Sequence, residues 1–499
     1  MDYALAFASG ALLALSFPQF GHPAFGWIAL APLLVALSRP TKPGRAFLLG
    51  LTTGVVYFNG TLYWITRVMG VYGGLSWPVA AVLNEALIAY MALFPALFAV
   101  LMRRGLATFG PAALMAAPFV WVTSELGRTH VMSGFPWVLL GYSQADVLPI
   151  AQLASLAGVY GVSALVAAVS AAAAHAVVAK EQRVRPAVVV LALLIVVGVW
   201  GSRRAARAEW TGVGDPVRVG LVQGNVDQAI KWDPDRASFI FQNYVSMTRQ
   251  AISRGAELVL WPESSTPFRF EERPDHGDTD LLRSLARQAR VSLLLGSDEI
   301  EPGTPPTYYN SAFLLNMDGS TAGVYRKMHL VPWGEYVPFK RMLFFVAPLV
   351  EAVSDFSPGR EPVVLPVGEH RISTAICYEV VYPNLMRHFV VGGSELLTTI
   401  TNDAWFGATS APYQHFAQAS MRAVEQGRYL VRAANTGISG IVDPYGRILQ
   451  RTALNEPAVV VGEARYLRVR TLYSRTGDVF AYASVVATAL LVLARRRVQ

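Results

Sequence analysis

The sequence predicts an α-helical membrane bundle, then an α/β domain, then one further apolar helix. Of the 499 residues, 53% are hydrophobic and only 15% are charged, whereas ordinary soluble domains carry about 25% charged residues. Nearly all long apolar runs lie in the first 200 residues. From residue 215 to 470 the pattern changes to short β-rich runs separated by helical stretches. These observations exclude a disordered chain, a coiled coil and a single ordinary soluble enzyme.

Eight apolar runs account for the helical part of the prediction. They lie at 3–17, 24–38, 46–66, 77–102, 106–124, 156–179, 186–200 and 479–494. A helix needs about 20 apolar residues to cross the bilayer core, so several runs suffice alone and the shorter ones need flanking residues. The semi-apolar stretch 138–158 is interpreted as a loop or re-entrant segment. We therefore expect about eight transmembrane helices, seven within 1–201 and one within 479–499.

The basic residues predict the orientation of these helices. If the helices alternate, eleven basic residues fall on one side: Arg39, Lys42, Arg45, Arg103, Arg104, Lys180, Arg183, Arg185, Arg495, Arg496 and Arg497. The opposite short loops hold only Arg67 and Arg128. The positive-inside rule makes the first side cytoplasmic. The domain 202–478 is therefore expected outside the cytoplasm, which in a bacterium is the periplasm. The net charge of +8 is thereby explained, and no nucleic-acid partner is expected.

The region between the last two helices reads as an α/β domain. Its predicted strands are 217–225, 257–263, 291–299, 311–319, 372–379 and 396–406. Its predicted helices are 236–254, 279–290 and 412–427. The segment 437–450 (GISGIVDPYGRILQ) reads as a hairpin around a Pro-Tyr-Gly turn.

Polar residues collect where the predicted strands end. Glu263 follows LVLWP, Cys377 and Glu379 lie in AICYE, and Asn402 and Asp403 follow TTIT. Ligand and catalytic sites of open α/β sheets form at the carboxyl ends of strands. We therefore expect Glu263, Cys377 and Glu379 to share one pocket.

Cys377 is the only cysteine, so it is either a core residue or a nucleophile. A thiol attacks an acyl carbonyl only if a base removes its proton, and no histidine has an obvious partner pattern for that role. A carboxylate can be the base if burial raises its pKa, and a lysine can stabilise the oxyanion. Lys327 and Glu335 lie together in YRKMHLVPWGEYVPF.

WPESS, YRKMHLVPWGEYVPF and ICYE resemble the Glu, Lys and Cys motifs of the nitrilase (carbon–nitrogen hydrolase) superfamily. With the flanking helices, the whole chain resembles the apolipoprotein N-acyltransferase family. This resemblance implies an α-β-β-α sandwich in the α/β domain.

The resemblance also assigns roles to individual residues. It implies that Cys377 is the nucleophile, Glu263 the general base and Lys327 the oxyanion stabiliser. Four further positions match supporting residues of the family's site: Glu335, Glu379, Tyr378 and Trp232.

The implied reaction is a two-step acyl transfer. A phospholipid such as phosphatidylethanolamine donates an acyl chain to the cysteine as a thioester, and the α-amine of a diacylglyceryl-cysteine apolipoprotein then accepts it. This is the last step of bacterial lipoprotein maturation. Membrane lipid is therefore an expected partner. No metal or nucleotide motif is present, so no cofactor is expected.

Two other interpretations remain open on the residues alone. The first is a membrane-anchored amidase, in which water resolves the thioester; eight helices are more than a tether requires. The second is a transporter or channel with a non-catalytic domain, for which Cys377→Ala would leave function intact.

Overall fold

The computed structural model describes residues 1–179, 184–270, 277–332, 334–336 and 356–494. The chain separates into two compact units. The first contains Met1–Arg207, Thr409–Met421 and the C-terminal segment that begins at Thr471. The second contains Ala208–Ala408 and Arg422–Arg470.

The first unit is helical. Its longer helices are α1 (Asp2–Ala14), α2 (Ala31–Ser38), α3 (Pro43–Leu62), α4 (Trp64–Val71), α5 (Trp77–Phe109), α6 (Ala117–His130), α7 (Leu148–Ala151), α8 (Ala154–Val178) and α9 (Val184–Arg207). After the second unit come α14 (Leu472–Thr476) and α15 (Val479–Leu493). Each predicted apolar run coincides with helix, and 138–158 forms short helical turns leading into α8.

The predicted count of eight spans is not confirmed. Among the described residues, three stretches are long and apolar enough to cross a membrane, namely Trp77–Ser133, Ala154–Val178 and Val184–Gly212. The bent pair α3 and α4, with 54° between them, would make a fourth if it forms one span. The other apolar helices have only 10–17 residues. These findings fit a membrane protein and leave the number of spans as a prediction.

Close packing of small residues joins α3 to α5. A Cβ on Gly50 would lie 2.4 Å from the carbonyl oxygen of Pro95, and one on Gly54 would lie 2.7 Å from Cα of Ala92. Small residues allow such close backbone approach, on which helix association in membranes depends. Replacing either glycine with a larger residue would force the two helices apart.

The second unit contains two six-stranded sheets. Their strands are β1 (Asp215–Gln223), β2 (Leu258–Leu260), β3 (Ser292–Glu301), β4 (Thr307–Leu315), β5 (Thr321–Arg326), β6 (Leu365–Val367), β7 (His370–Ile376), β8 (Leu396–Thr401), β9 (Leu430–Ala434), β10 (Gly440–Val442), β11 (Ile448–Arg451) and β12 (Ala458–Tyr466). The strand orders are β12-β1-β2-β3-β4-β5 and β11-β10-β9-β8-β7-β6. The helices are α10 (Pro234–Ser253), α11 (Gly277–Ala289), α12 (Pro383–Val391) and α13 (Ala411–Gln426), of which α13 begins in the first unit.

The predicted α/β domain is confirmed, with differences at strand ends. A buried core that includes Phe241, Trp261 and Leu293 joins α10 to the first sheet. The strand predicted at 396–406 ends at Thr401, and Asp403–Phe406 forms a short 3₁₀ helix instead. The predicted hairpin is confirmed as the antiparallel pair β10 and β11. Strand β12, which pairs with β1 at the edge of the first sheet, was not predicted.

Candidate active site

Four chain segments bring polar residues to the carboxyl ends of strands in the second unit. Lys327 and Cys377 directly follow β5 and β7, Asn402 directly follows β8, and Glu263 lies three residues after β2. Strands β7, β8 and β9 are parallel neighbours, as are β1, β2 and β3, so their carboxyl ends share an edge of each sheet. The sequence expectation that polar side chains meet at strand ends is confirmed.

Two carboxylates share one ammonium and one amide at the centre of the site. Nζ of Lys327 donates to Oε1 of Glu263 at 3.1 Å and to Oε1 of Glu335 at 2.8 Å. Nδ2 of Asn310 donates to the same two oxygens at 2.8 and 2.9 Å. In the described part of the chain, Lys327 therefore uses two of its three N–H donors, and the third is available for an oxyanion.

Glu263 is held as a carboxylate. Burial raises its pKa, but the charges of Lys327 and Lys231 and the hydrogen bond from Asn310 outweigh burial and lower it below the usual value. The sequence argument, which considered burial alone, expected the opposite direction. Oε2 of Glu263 accepts the backbone N–H of Asn402 at 2.9 Å, and its second lone pair can receive a proton.

Cys377 lies at a strained point of the backbone. Its φ of 54° is left-handed, a conformation that is costly for a non-glycine residue and clusters at functional sites. The side chain is buried. Burial and the negative charge of Glu263 raise the pKa of the thiol, more than the Lys327 charge and a hydrogen bond with the Thr401 hydroxyl lower it. The resting side chain is therefore a neutral thiol, which must lose its proton to act as a nucleophile.

Glu379 ties the Lys327 segment to the Cys377 segment. Its Oε1 accepts the Tyr325 hydroxyl at 2.7 Å and the backbone N–H groups of Met328 and His329 at 2.7 and 3.0 Å. Its Oε2 accepts the backbone N–H of Ile376 at 2.7 Å. The carboxylate is fully buried, so each bond forms away from water. Glu379 thereby fixes the residue before Cys377 and the two residues after Lys327.

The two aromatic candidates occupy different surroundings. Tyr378 is buried beside Cys377, and its hydroxyl oxygen accepts the hydroxyl of Tyr382 at 3.0 Å. Trp232 is 50% exposed and its ring centroid lies 5.6 Å from Nζ of Lys231. The structure therefore places Tyr378 next to Cys377, and it places Trp232 next to Lys231.

Sequence reasoning missed Asn310 and Lys231. Asn310 lies within strand β4, whose sequence TYYNSAFLL also contains Thr307 and Ser311, so its own segment gave no distinct signal. Lys231 directly precedes Trp232 in KWDP. Its ammonium donates to the backbone oxygen of Glu263 at 3.2 Å. The catalytic roles of Glu263, Lys327 and Cys377 remain predictions.

The two sheets and the Glu–Lys–Cys arrangement define a nitrilase-type α/β domain, and residues 218–472 match the carbon-nitrogen hydrolase family. Residues 9–172 match the apolipoprotein N-acyltransferase N-terminal domain. The chain belongs to the apolipoprotein N-acyltransferase family, since it is 43% identical to the apolipoprotein N-acyltransferase of Geobacter metallireducens over 99% of this chain and 96% of that one.

A second relative agrees with this assignment. The apolipoprotein N-acyltransferase of Methylococcus capsulatus is 35% identical, again over 99% of this chain and 96% of that one. Among solved structures, an amidase of the nitrilase superfamily from Nesterenkonia AN1 is 22% identical. It covers 55% of this chain and 98% of its own, with a TM-score of 0.40.

Proposed function

We propose that this protein is an acyltransferase that moves an acyl chain from a phospholipid to the N-terminal amine of a diacylated apolipoprotein. The acceptor is a diacylglyceryl-cysteine, and the donor is a glycerophospholipid of the phosphatidylethanolamine type. The reaction proceeds through a thioester on Cys377 and follows ping-pong kinetics. It is the last step of bacterial lipoprotein maturation.

In the first half-reaction, Sγ of Cys377 attacks the carbonyl carbon of a phospholipid ester. Its proton passes to Glu263 as the C–S bond forms, because the thiol is neutral at rest and Glu263 is ionised. The free N–H of Lys327 stabilises the oxyanion. The ester C–O bond then breaks, the leaving oxygen takes the proton from Glu263, and a lysophospholipid departs.

In the second half-reaction, the neutral α-amine of the acceptor attacks the thioester carbonyl. Glu263 takes a proton from the attacking nitrogen, and Lys327 again stabilises the oxyanion. The C–S bond breaks, the sulfur regains a proton from Glu263, and an amide is released. Glu263 is therefore ionised again at the end of each half-reaction, as it is at rest.

The lipid substrates account for the apolar helices. Moving an acyl chain into water costs about 0.8 kcal/mol for each CH₂ group, so a site supplied from a bilayer avoids a large barrier. We propose about eight spans, with the α/β domain on the periplasmic side of the inner membrane. The asymmetry of basic residues between the two sides supports this orientation. Protease protection in spheroplasts tests it, because a cytoplasmic α/β domain would be resistant.

One observation carries the proposed chemistry. Lys327 contacts Glu263 in a buried site, and the charges of both residues act on the Cys377 thiol. A carboxylate base, a cationic oxyanion site and a nucleophile are the three groups that acyl transfer through a thioester needs.

Intact-mass analysis tests the proposal. The purified protein is mixed with phospholipid alone, and we expect an added acyl mass that Cys377→Ala lacks. A diacylated lipopeptide is then added, and we expect loss of the adduct and appearance of the N-acylated peptide. Conversion of the adduct to free fatty acid with no N-acyl product would instead identify a hydrolase. Absence of any adduct with phospholipid would contradict the proposal.

A further inference from the structure

Lys231 is a buried cation that the proposed acyl-transfer steps do not use. The residue is 6% exposed. In the described part of the chain, its ammonium makes one hydrogen bond, to the backbone oxygen of Glu263 at 3.2 Å. The ring of Trp232 lies 5.6 Å away. An ammonium has three N–H donors, so two of them are left for another group.

The protein supplies only part of the negative charge that such a cation needs. Glu263 and Asp298 act to raise the pKa of Lys231, yet burial outweighs them and lowers it to about 8. Neither carboxylate forms a direct ion pair with Lys231 in the described residues. Buried cations are costly unless they are paired. An anion that arrives with a ligand would stabilise such a cation.

The surroundings of Lys231 limit where that ligand lies. Lys231 lies beside Ser264 and Ser265, which directly follow Glu263, and beside the apolar side chains of Val226 and Ile240. The gap between these residues is too narrow for a water molecule, so a ligand must displace some of their side chains to reach Lys231. Lys231 also contacts the backbone oxygen of Glu263, whose carboxylate contacts Lys327. A group held by Lys231 would therefore belong to the same substrate molecule whose ester Cys377 attacks.

We propose that Lys231 binds the phosphate of the phospholipid donor and thereby orients the ester toward Cys377. This inference rests on the function proposed above. The donor carries its phosphate on the same glycerol as its acyl esters, whereas the diacylglyceryl group of the acceptor carries no phosphate. Lys231 is thus a specificity residue for the first half-reaction, and Trp232 keeps its ammonium in place through a cation–π contact.

The test compares two acyl donors in one set of variants. The donors are phosphatidylethanolamine and a p-nitrophenyl ester of the same fatty acid, which has no phosphate. Thioester formation on Cys377 is followed by intact mass for wild type, Lys231→Met and Lys231→Arg. Lys42→Met, at an exposed lysine in the first unit, is the matched control.

We expect Lys231→Met to lose about tenfold or more in kcat/KM for the phospholipid, because a hydrogen bond to a charged group strengthens binding by about tenfold or more. We expect no comparable loss with the aryl ester, and we expect Lys231→Arg to recover most of the phospholipid rate. Lys42→Met should behave as wild type with both donors.

Three outcomes would overturn the inference. An equal loss with both donors would assign Lys231 to the chemistry or to the fold. No loss with either donor would show that Lys231 does not bind the phospholipid. A loss in Lys231→Arg as large as that in Lys231→Met would exclude recognition by charge. Wild type that reacts with the aryl ester but never with phospholipid would refute the proposed function itself, which is a separate result.

Discussion

Replacing Glu379 with glutamine tests whether this residue acts by holding the site in place. Glu379 accepts four hydrogen bonds while fully buried. Glutamine offers one carbonyl oxygen and one NH₂ group, so at least one N–H or O–H donor must then face another donor. The least costly arrangement leaves only the backbone N–H of Ile376 without an acceptor.

The expected size of the effect follows from that count. One buried donor without an acceptor costs about 1–3 kcal/mol. If the whole cost appears in the transition state, thioester formation slows by about five- to 150-fold. Tyr325→Phe is the matched control, because it removes one of the four donors and leaves the carboxylate with three backbone N–H groups. We expect that variant to lose less than Glu379→Gln.

The pH dependence separates this role from a general loss of stability. Burial raises the pKa of Glu379 to about 7, from 4.5. Below pH 7 a proton on one oxygen turns an acceptor into a donor, so we expect the rate to fall as the pH falls through 7. Stability changes in the other direction. The buried acid contributes fully below pH 4.5, and this contribution is lost as the pH rises to about 7.

Single-turnover thioester formation and the thermal unfolding midpoint in detergent, both measured across this pH range, provide the assay. In wild type, activity should rise through pH 7 while the midpoint declines. In Glu379→Gln, both pH dependences should disappear. The low pKa of Glu263 places its titration outside this window. The reasoning would be refuted if the Glu379→Gln variant formed the thioester at the wild-type rate. It would also be refuted if the rate of the variant still fell at acidic pH as in wild type.

Three further predictions concern neighbouring charges. Glu335→Gln removes one of two anions on Lys327, so we expect about a tenfold or greater fall in thioester formation by quenched-flow mass analysis; an unchanged rate would contradict it. Arg432→Leu leaves Asp403 buried without its 2.8 Å partner and should cost about 3–5 kcal/mol of unfolding free energy. Replacing the exposed Arg468 should cost less than about 1 kcal/mol of unfolding free energy. If the two variants lost the same free energy, the claim that the buried pair contributes more would be wrong. Lys231 has a pKa of about 8, so kcat/KM for phospholipid should fall as the pH rises through 8 in wild type but not in Lys231→Arg.

The sequence predicted those parts of the site that follow from local pattern. Glu263 and Cys377 each lie where a predicted β-rich run gives way to polar residues, and each lies at or near the end of a strand in the structure. Lys327 follows β5, which was not predicted, and only its motif YRKMHLVPWGEYVPF indicated it. Strand alternation and turn residues are local signals. The α/β domain and its hairpin were therefore predictable before any long-range contact was known.

The sequence could not predict interactions between residues that are distant along the chain. Asn310 contacts Glu263 and Glu335 because β4 lies between β3 and β5 in the sheet. Nothing in its own segment indicates those partners. The direction of the Glu263 pKa shift depends on the same contacts, since burial alone would have raised it. Pairing of β12 with β1 is also a long-range contact.

The number of membrane spans was unpredictable for a different reason. Hydropathy identifies apolar runs but not where one helix continues into the next. Helix α5 has 33 residues, which corresponds to about 50 Å at 1.5 Å per residue, more than the roughly 30 Å of a bilayer core. The run predicted at 106–124 begins inside this helix and continues into α6. Helix ends depend on packing and capping that apolar content does not encode.

The charges around Glu263 suggest how donor binding would prepare the base. At rest, the positive charges of Lys327 and Lys231 both lower the pKa of Glu263, which makes it a weak acceptor for a thiol whose pKa is raised. On the proposal that Lys231 holds the donor's phosphate, that anion would offset one of the two cations. The pKa of Glu263 would then rise only when a phospholipid is bound, and the proton of Cys377 would move when an ester is in position to be attacked.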